Sequence, residues 1–345
     1  MPAEWSVHQR TFISWPVQAS MCYPEDYDQV CRAYYTELIK AIAEFEPVTV
    51  IVNPDEEDLL RGIFSKEATA YELDFLPIPH NDAWIRDNGP TFLVNRNGEI
   101  AGVNWRFNAW GEKYAPWDLD NETAPKILDY YGIKRFDAPL VLEGGSIHSD
   151  GEGTILTTEE CLLNPNRNPS LSREEIEDYL KLYLNADRVI WLKRGLAGDE
   201  TDGHVDNIAC FAAPGRILIQ ISEDPEDKNY HIARENINIL QSSTDAKGRS
   251  FEIIPILQPP PRWYGDSRLT LSYINFYFVN NGIILPVFGG DAAETDIRAE
   301  QVLNRIFPER RVRKVDGMAI IKEGGNVHCT TQQMPLPVSK EKGPR

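Results

Sequence analysis

Five short polar segments hold most of the side chains able to do chemistry. Cys329 lies in GGNVHCTTQQ, directly after His328. TDGHVDN places His204 and Asp206 two apart, WIRDNGP holds Asp87 next to Arg86 with Trp84 three residues earlier, and Glu143 heads EGGSIH. The fifth segment, SYINFYFVN (272–280), contributes Asn275. A cysteine is nucleophilic as its thiolate, which needs a cation, a helix N-terminus or an acid–base partner to form. Histidine supplies acid–base work near neutral pH. In an extended segment, residues two apart face the same side, so His204 and Asp206 would project together. Glycines beside Glu143 and Cys329 permit close backbone approach. Each residue alone has a plain structural reading: Cys329 as a small buried hydrophobe, His204 and Asp206 as a satisfied pair, Arg86 as an ion-pair partner. One thiol, one imidazole and several carboxylates in one place suit covalent attack on a cationic planar carbon. A guanidinium is such a group, with donors matched to carboxylates in bidentate geometry. Glu143, His148, His204 and Asp206 are also metal-ligand types, but no HExxH or close ligand cluster accompanies them, and no metal is expected.

The segments recur with a period. Asp87, Glu143, His204, Asn275 and Cys329 are separated by 56, 61, 71 and 54 residues, and the near-identical EGGSIH and EGGNVH lie 180 apart. A fixed period marks repeated structural units. Helical stretches are expected at 25–46, 55–66, 122–131, 172–184, 228–241 and 292–307, the last with Ile297, Val302, Leu303 and Ile306 on its apolar face. Between them lie the β-branched runs 48–52, 91–94, 154–158, 188–192, 216–221, 251–257 and 282–288. Strands alternating with helices give an α/β protein. Five units closing around an axis would bring the five polar loops to one central site. PPPRWYGD (259–266) reads as a long loop within a unit and a rim over the site. Residues 336–345 read as a polar C-terminal tail, leaving 1–335 as a single domain.

The 345 residues carry 35 Lys+Arg against 53 Asp+Glu, a formal charge of −18. That argues against nucleic acid as partner and favours cations. No apolar run reaches the ~18 residues of a membrane-spanning helix. MPAEWSVHQRTF lacks a basic stretch followed by an apolar one, so no secretory signal is expected. Five sparse cysteines without CxxC spacing fit a reducing, cytoplasmic setting.

In order, MPAEW, FISWP, WIRDNGP, RFNAWG, LEGGSIHSDGEGT, DETDGHVDN, SYINFY and GGNVHCTTQQMP cover residues 1–335. The chain so resembles the agmatine deiminases, within the guanidino-modifying enzymes that include bacterial peptidyl-arginine deiminases. The resemblance implies a five-bladed, pseudo-fivefold α/β propeller of the pentein type with a central active site. It implies Cys329 as nucleophile and His204 as acid–base. Asp87 and Asp206 match the carboxylates that grip the guanidinium, and Glu143 the one that orients the histidine. It implies hydrolysis of agmatine to N-carbamoylputrescine and ammonia through an amidino-cysteine, without cofactor, on the route to putrescine and other polyamines. The rivals are peptidyl-arginine deimination, amidino transfer and an inactive binding scaffold. Asp82, Trp84, Trp110, Glu200 and Asn275 are the expected substrate contacts. Arg86 and Arg106 are expected to be tied up in ion pairs and not to receive an α-carboxylate. Glu112, in WGE, stands where the family pattern leads one to expect glycine. A small cationic substrate is the expected partner, and a homo-oligomer is compatible.

Overall fold

The computed structural model describes residues 1–337. The remainder of the expected tail, 338–345, lies outside the described residues. Leu336 belongs with the fold, because its N–H donates to the Val7 carbonyl at 2.8 Å.

Apolar, β-branched sequences supply the central strands. VTVIV and TILTT are buried at all five positions, as strands covered on both faces must be. Four sheets repeat one plan: an antiparallel pair, then a helical crossover to a third strand parallel to the second. They are β4 (Thr91–Val94), β5 (Ile100–Arg106) and β6 (Lys134–Val141); β7 (His148–Ser149), β8 (Thr154–Thr158) and β9 (Arg188–Leu192); β10 (Ala209–Ala213), β11 (Arg216–Ile221) and β12 (Glu252–Leu257); β15 (Tyr277–Val279), β16 (Gly282–Val287) and β17 (Arg311–Asp316). The fifth joins the chain ends. β18 (Gln332–Pro335) pairs antiparallel with β1 (His8–Ser14), which runs parallel to β2 (Val48–Val52), and β3 (Leu73–Pro77) extends the edge. Among the described residues, no strand pairing joins one of these sheets to another.

Five of the seven strands read from sequence match their bounds to the residue, and the other two differ by one residue at one end. The strands missed are mostly short or edge strands. RVRKVD of β17 and KRFDAPLV of β6 are largely exposed and carry charge, so they lack the apolar signal. The segment 272–280 is only partly a loop, since Tyr277–Val279 is a buried strand. The first helical stretch is broken, with π geometry at Val30–Thr36 between short α segments. In the helix Ala293–Ile306 the inward face is Asp296, Ala299 and Leu303, while Ile297 is 53% exposed. Asp296 decides that rotation: its carboxylate accepts from Tyr273 Oη at 2.6 Å and from the Phe288 and Gly289 N–H groups. PPPRWYGD supplies β13 (Trp263–Tyr264) and the turn of a hairpin whose second strand is β14 (Ser267–Arg268).

Each marker residue stands at the same place in the plan, just before the first strand of a unit. Asp87 precedes β4, Glu143 β7, His204 β10, Asn275 β15 and Cys329 β18.

Candidate active site

The loops meet. The Cys329 thiol is buried, with Sγ 3.1 Å from Asn275 Nδ2 and 3.6 Å from Asp206 Oδ2. Asp87 accepts from the Gly145 N–H and from Trp110 Nε1, both at 2.9 Å, and its Oδ1 lies 3.8 Å from His204 Nδ1. Glu143 Oε2 stands 3.8 Å from His204 Nε2. Its other oxygen accepts from Arg167 Nε at 2.7 Å, a buried pair with no sequence signal. Burial disfavours a charged His204, yet Asp87, Cys161 and Glu143 around it raise its pKa well above the usual value. Burial pushes the Cys329 thiol far up, and Asp206 and Asp87 push it further. Burial opposes ionisation of Asp206 too, but its contact with His328 outweighs it and holds that carboxyl low.

The repeated EGG motif is explained by close approach. A Cβ on Gly145 would lie 2.6 Å from His204 Nδ1 and 2.9 Å from both Asp87 and Asp206; one on Gly325 would lie 2.5 Å from the Trp84 ring and 3.0 Å from the Cys329 Cβ. Only glycine leaves room. The histidines ending the two motifs converge on one carboxylate. His328 Nε2 lies 2.9 Å from Glu4 Oε1, and His148 Nε2 lies 3.4 Å from Glu4 Oε2. Arg86 joins them, with Nη1 3.3 Å from Glu4. His328 Nδ1 reaches Asp206 at 2.9 Å, so Glu4 is linked through His328 to a carboxylate beside the thiol. The sequence carries Glu4 and His328 inside motifs but gives neither a role. Arg86 is held in an ion pair as expected. Arg106, expected in an ion pair as well, is exposed at the C-terminal end of β5 opposite Val141 and is in no ion pair among the described residues.

Above the thiol is a cleft of about 680 Å³, open mouth included; Asp82, Trp84, Asp87, Trp110, Glu200 and Cys329 all line it. The lining adds Glu323, Tyr114 and Cys22, and includes no lysine, arginine or histidine. Glu323 accepts from the Cys22 N–H at 2.7 Å and the Tyr23 N–H at 3.2 Å, pinning the loop that forms one wall. Tyr114 Oη donates to Glu200 at 2.7 Å. Burial, with Asp120 adding to it, pushes Asp82 up to about 7. Asn275 does not line this cleft. It is fully buried, bridging Cys329 Sγ, Asn207 and the His328 N–H, so its amide serves the thiol and not the substrate.

Trp110 reaches Asp87 from a left-handed turn. Ala109, Trp110 and Glu112 have φ of +51°, +57° and +63°, with Gly111 at +91°. Left-handed backbone costs a non-glycine residue roughly 1–2 kcal/mol, and such strain collects at functional sites. The Asn108 side chain, accepting from the Gly111 N–H at 2.9 Å, closes the turn. Glycine suits the place of Glu112 because that φ is free of cost for glycine alone.

A buried thiol, imidazole and carboxylates below an acidic cleft, carried on repeated three-stranded units, define an α/β protein equipped for thiol chemistry on a cationic group. The chain belongs to the Porphyromonas-type peptidyl-arginine deiminase family, whose model matches residues 1–335. An agmatine deiminase of Ectopseudomonas mendocina is 44% identical over 98% of this chain and 95% of its own length. The structure of an agmatine deiminase of Enterococcus faecalis is similar with a TM-score of 0.89 at 36% identity, covering 98% of this chain and 96% of that one. A cysteine-to-serine variant of a C. jejuni agmatine deiminase, with substrate bound, has a TM-score of 0.88 at 29% identity, with 98% and 96% covered. Among the described residues no helix is long and apolar enough to cross a membrane.

Proposed function

We propose that this protein is an agmatine deiminase, converting agmatine and water to N-carbamoylputrescine and ammonia. The observation that carries this reading is the cleft: Cys329 at its floor, Asp82, Asp87, Glu200 and Glu323 on its walls, and no basic residue in the lining. Such a wall favours a substrate with cations at both ends. The names of the similar proteins support the same substrate.

The guanidinium lies between Asp87 and Asp206, and Trp84 and Trp110 flank the cleft floor. Burial and these two carboxylates hold the free thiol neutral; the guanidinium charge offsets the carboxylates, so substrate binding releases the thiol proton to solvent and leaves the thiolate. The thiolate attacks the guanidinium carbon. His204, as imidazolium, gives its proton to the departing ammonia, leaving an amidino-thioether on Cys329. Neutral His204 then takes a proton from water, which adds to the same carbon; collapse expels the thiolate and yields the ureido product. Glu143, anchored by Arg167, steadies the imidazolium. Asp82 and Glu200 take the distal ammonium.

The proposal takes 1–335 as one domain whose five sheets are the blades of a pseudo-fivefold propeller. Its support is that five successive sheet-to-sheet loops supply the site and that β18 completes the sheet of β1. We place the enzyme in the cytoplasm, where its five cysteines, none of them in a disulfide among the described residues, stay reduced. The test is a product assay with agmatine, free arginine, a blocked arginyl peptide and an amine acceptor. Ureido product and ammonia from agmatine support the reading. Citrulline from the peptide at comparable kcat/KM, or amidino transfer to the amine, refutes it.

A further inference from the structure

Glu143 and His204 of the proposed active site also form, with Cys161, a fully buried cluster of ligand types. One ligand atom of each lies within 4.8 Å of the other two. His204 Nε2 and Glu143 Oε2 are 3.8 Å apart. Both ring nitrogens of His204 and Glu143 Oε2 are buried with no partner within 3.5 Å, the facing carboxylate oxygens standing at 3.8 Å. A buried polar atom whose hydrogen bonds are long or missing is costly, and a ligand contacting it removes that cost. Thiolate, imidazole and carboxylate are the donors zinc selects, and bonds of about 2.0–2.3 Å in a tetrahedron set neighbouring donor atoms roughly 3.3–3.8 Å apart. The histidine–carboxylate pair, for which such bonds call for roughly 3.3–3.5 Å, stands a few tenths of an ångström wider at 3.8 Å, so the ion draws the two groups together.

We infer that Glu143, Cys161 and His204 bind a thiophilic divalent cation, of the Zn²⁺ class, and that the bound ion inhibits the enzyme. Arg167 occupies Glu143 Oε1 and leaves Oε2 free. Asp87, 3.8 Å from the other ring nitrogen, adds negative charge on the far side of the imidazole. The ion binds thiolate and neutral imidazole, displacing their protons into solvent. It thereby takes the lone pair of His204 needed to activate water. The cluster is fully buried, so the ion gains access only as the surrounding loops open, and inhibition develops slowly. A site with three protein ligands keeps a fourth position for water. The inhibitory effect rests on the acid–base role proposed for His204; occupancy of the site does not.

Occupancy is therefore read without turnover. In a Cys22→Ser/Cys329→Ser background, which removes both cleft thiols, added Co²⁺ should produce a thiolate-to-cobalt absorption band and tetrahedral visible bands. Adding Cys161→Ser should abolish both, and Cys161→Ala provides the same comparison should the serine variant fail to give a native thermal melt. No band, or a band that survives without Cys161, overturns the site. With native cysteines, preincubation with Zn²⁺ should lower agmatine turnover at least about tenfold, reversibly with chelator, and Cys161→Ser should escape most of that loss because one of three ligands is gone. A cobalt band lost with Cys161 but no zinc inhibition would keep the site and overturn its inhibitory action. Comparable inhibition of both enzymes would assign the effect to the cleft thiol instead.

Discussion

Asp82→Asn tests the account of the distal ammonium most directly, because the carboxyl carries its own pH signature. Asp82 is half-buried, accepts from the Ala83 N–H at 2.7 Å, and faces Asp120, a second carboxyl raised to about 7. Asp82 itself is pushed up to about 7 by burial first and Asp120 after it. Below that pH it is protonated and offers an ammonium no charge; above it, the anion binds. For the free enzyme, kcat/KM with agmatine should therefore fall as pH drops through about 7, since this parameter reports free-enzyme groups. A charge-assisted hydrogen bond contributes about 1.5–3 kcal/mol. Discounted for solvent screening in an open cleft, about 1–2 kcal/mol remains. At tenfold per ~1.4 kcal/mol, the asparagine variant should lose roughly 5–30-fold in kcat/KM at pH 8. At pH 6 only about one Asp82 in ten is ionised, so the deficit should shrink to roughly 1.5–4-fold. The loss should reside in KM, with kcat little changed, as for uniform binding. Steady-state kinetics of both enzymes from pH 6 to 8.5 provide the measurement, and their ratio cancels the titration of shared groups. A ratio flat with pH, or an unchanged KM at pH 8, refutes the assignment.

The remaining predictions concern chemistry, selectivity and stability. Cys329→Ser should abolish turnover while the four other cysteine-to-serine variants retain it, and a haloacetamidine should label Cys329 alone, as read by peptide mass mapping. Agmatine should exceed free arginine in kcat/KM by about a hundredfold or more, since an added carboxylate meets an acid-lined cleft and an unpaired buried charge costs several kcal/mol; comparable values refute the reading. Activity should survive exhaustive chelation in reducing buffer; a loss restored by one particular metal refutes metal independence. Glu112→Gly should relieve about 1–2 kcal/mol of left-handed strain against about 0.5–1 kcal/mol of added chain freedom, raising Tm by about 1 °C. Burial disfavours the Glu4 carboxylate, but His328, Arg86 and His148 outweigh it and hold its pKa well below the usual glutamate value. That stability is present above the unfolded-state pKa and lost as pH falls through the folded one. Glu4→Gln should thus destabilise by about 3–5 kcal/mol near neutrality, with the gap closing in strong acid, as measured by urea unfolding.

Local sequence determined the repeat. β-branched runs became central strands because burial on both faces demands an unbroken apolar string, and the spacing of Asp87, Glu143, His204, Asn275 and Cys329 marked the loops before each unit. The same sequence implied the thiol, imidazole and carboxylates, since their types restrict the chemistry whatever their distances. Tertiary structure decided the rest. Charged edge strands such as β17 lack a local signal, because pairing on one side alone holds them in place. Asn275 carries the marker spacing of a cleft residue, yet packing turns its amide onto the Cys329 sulfur. Glu4 and Arg167 stand far along the chain from the groups they pair with, and such contacts exist only when the sheets are assembled. Glu112 departs from the family pattern; only its backbone angle, φ +63°, gives the reason that glycine suits the place. Sequence spacing fixes which residues share a loop, but an ion pair or an orphaned nitrogen is a property of distances, and those are set by how the units pack.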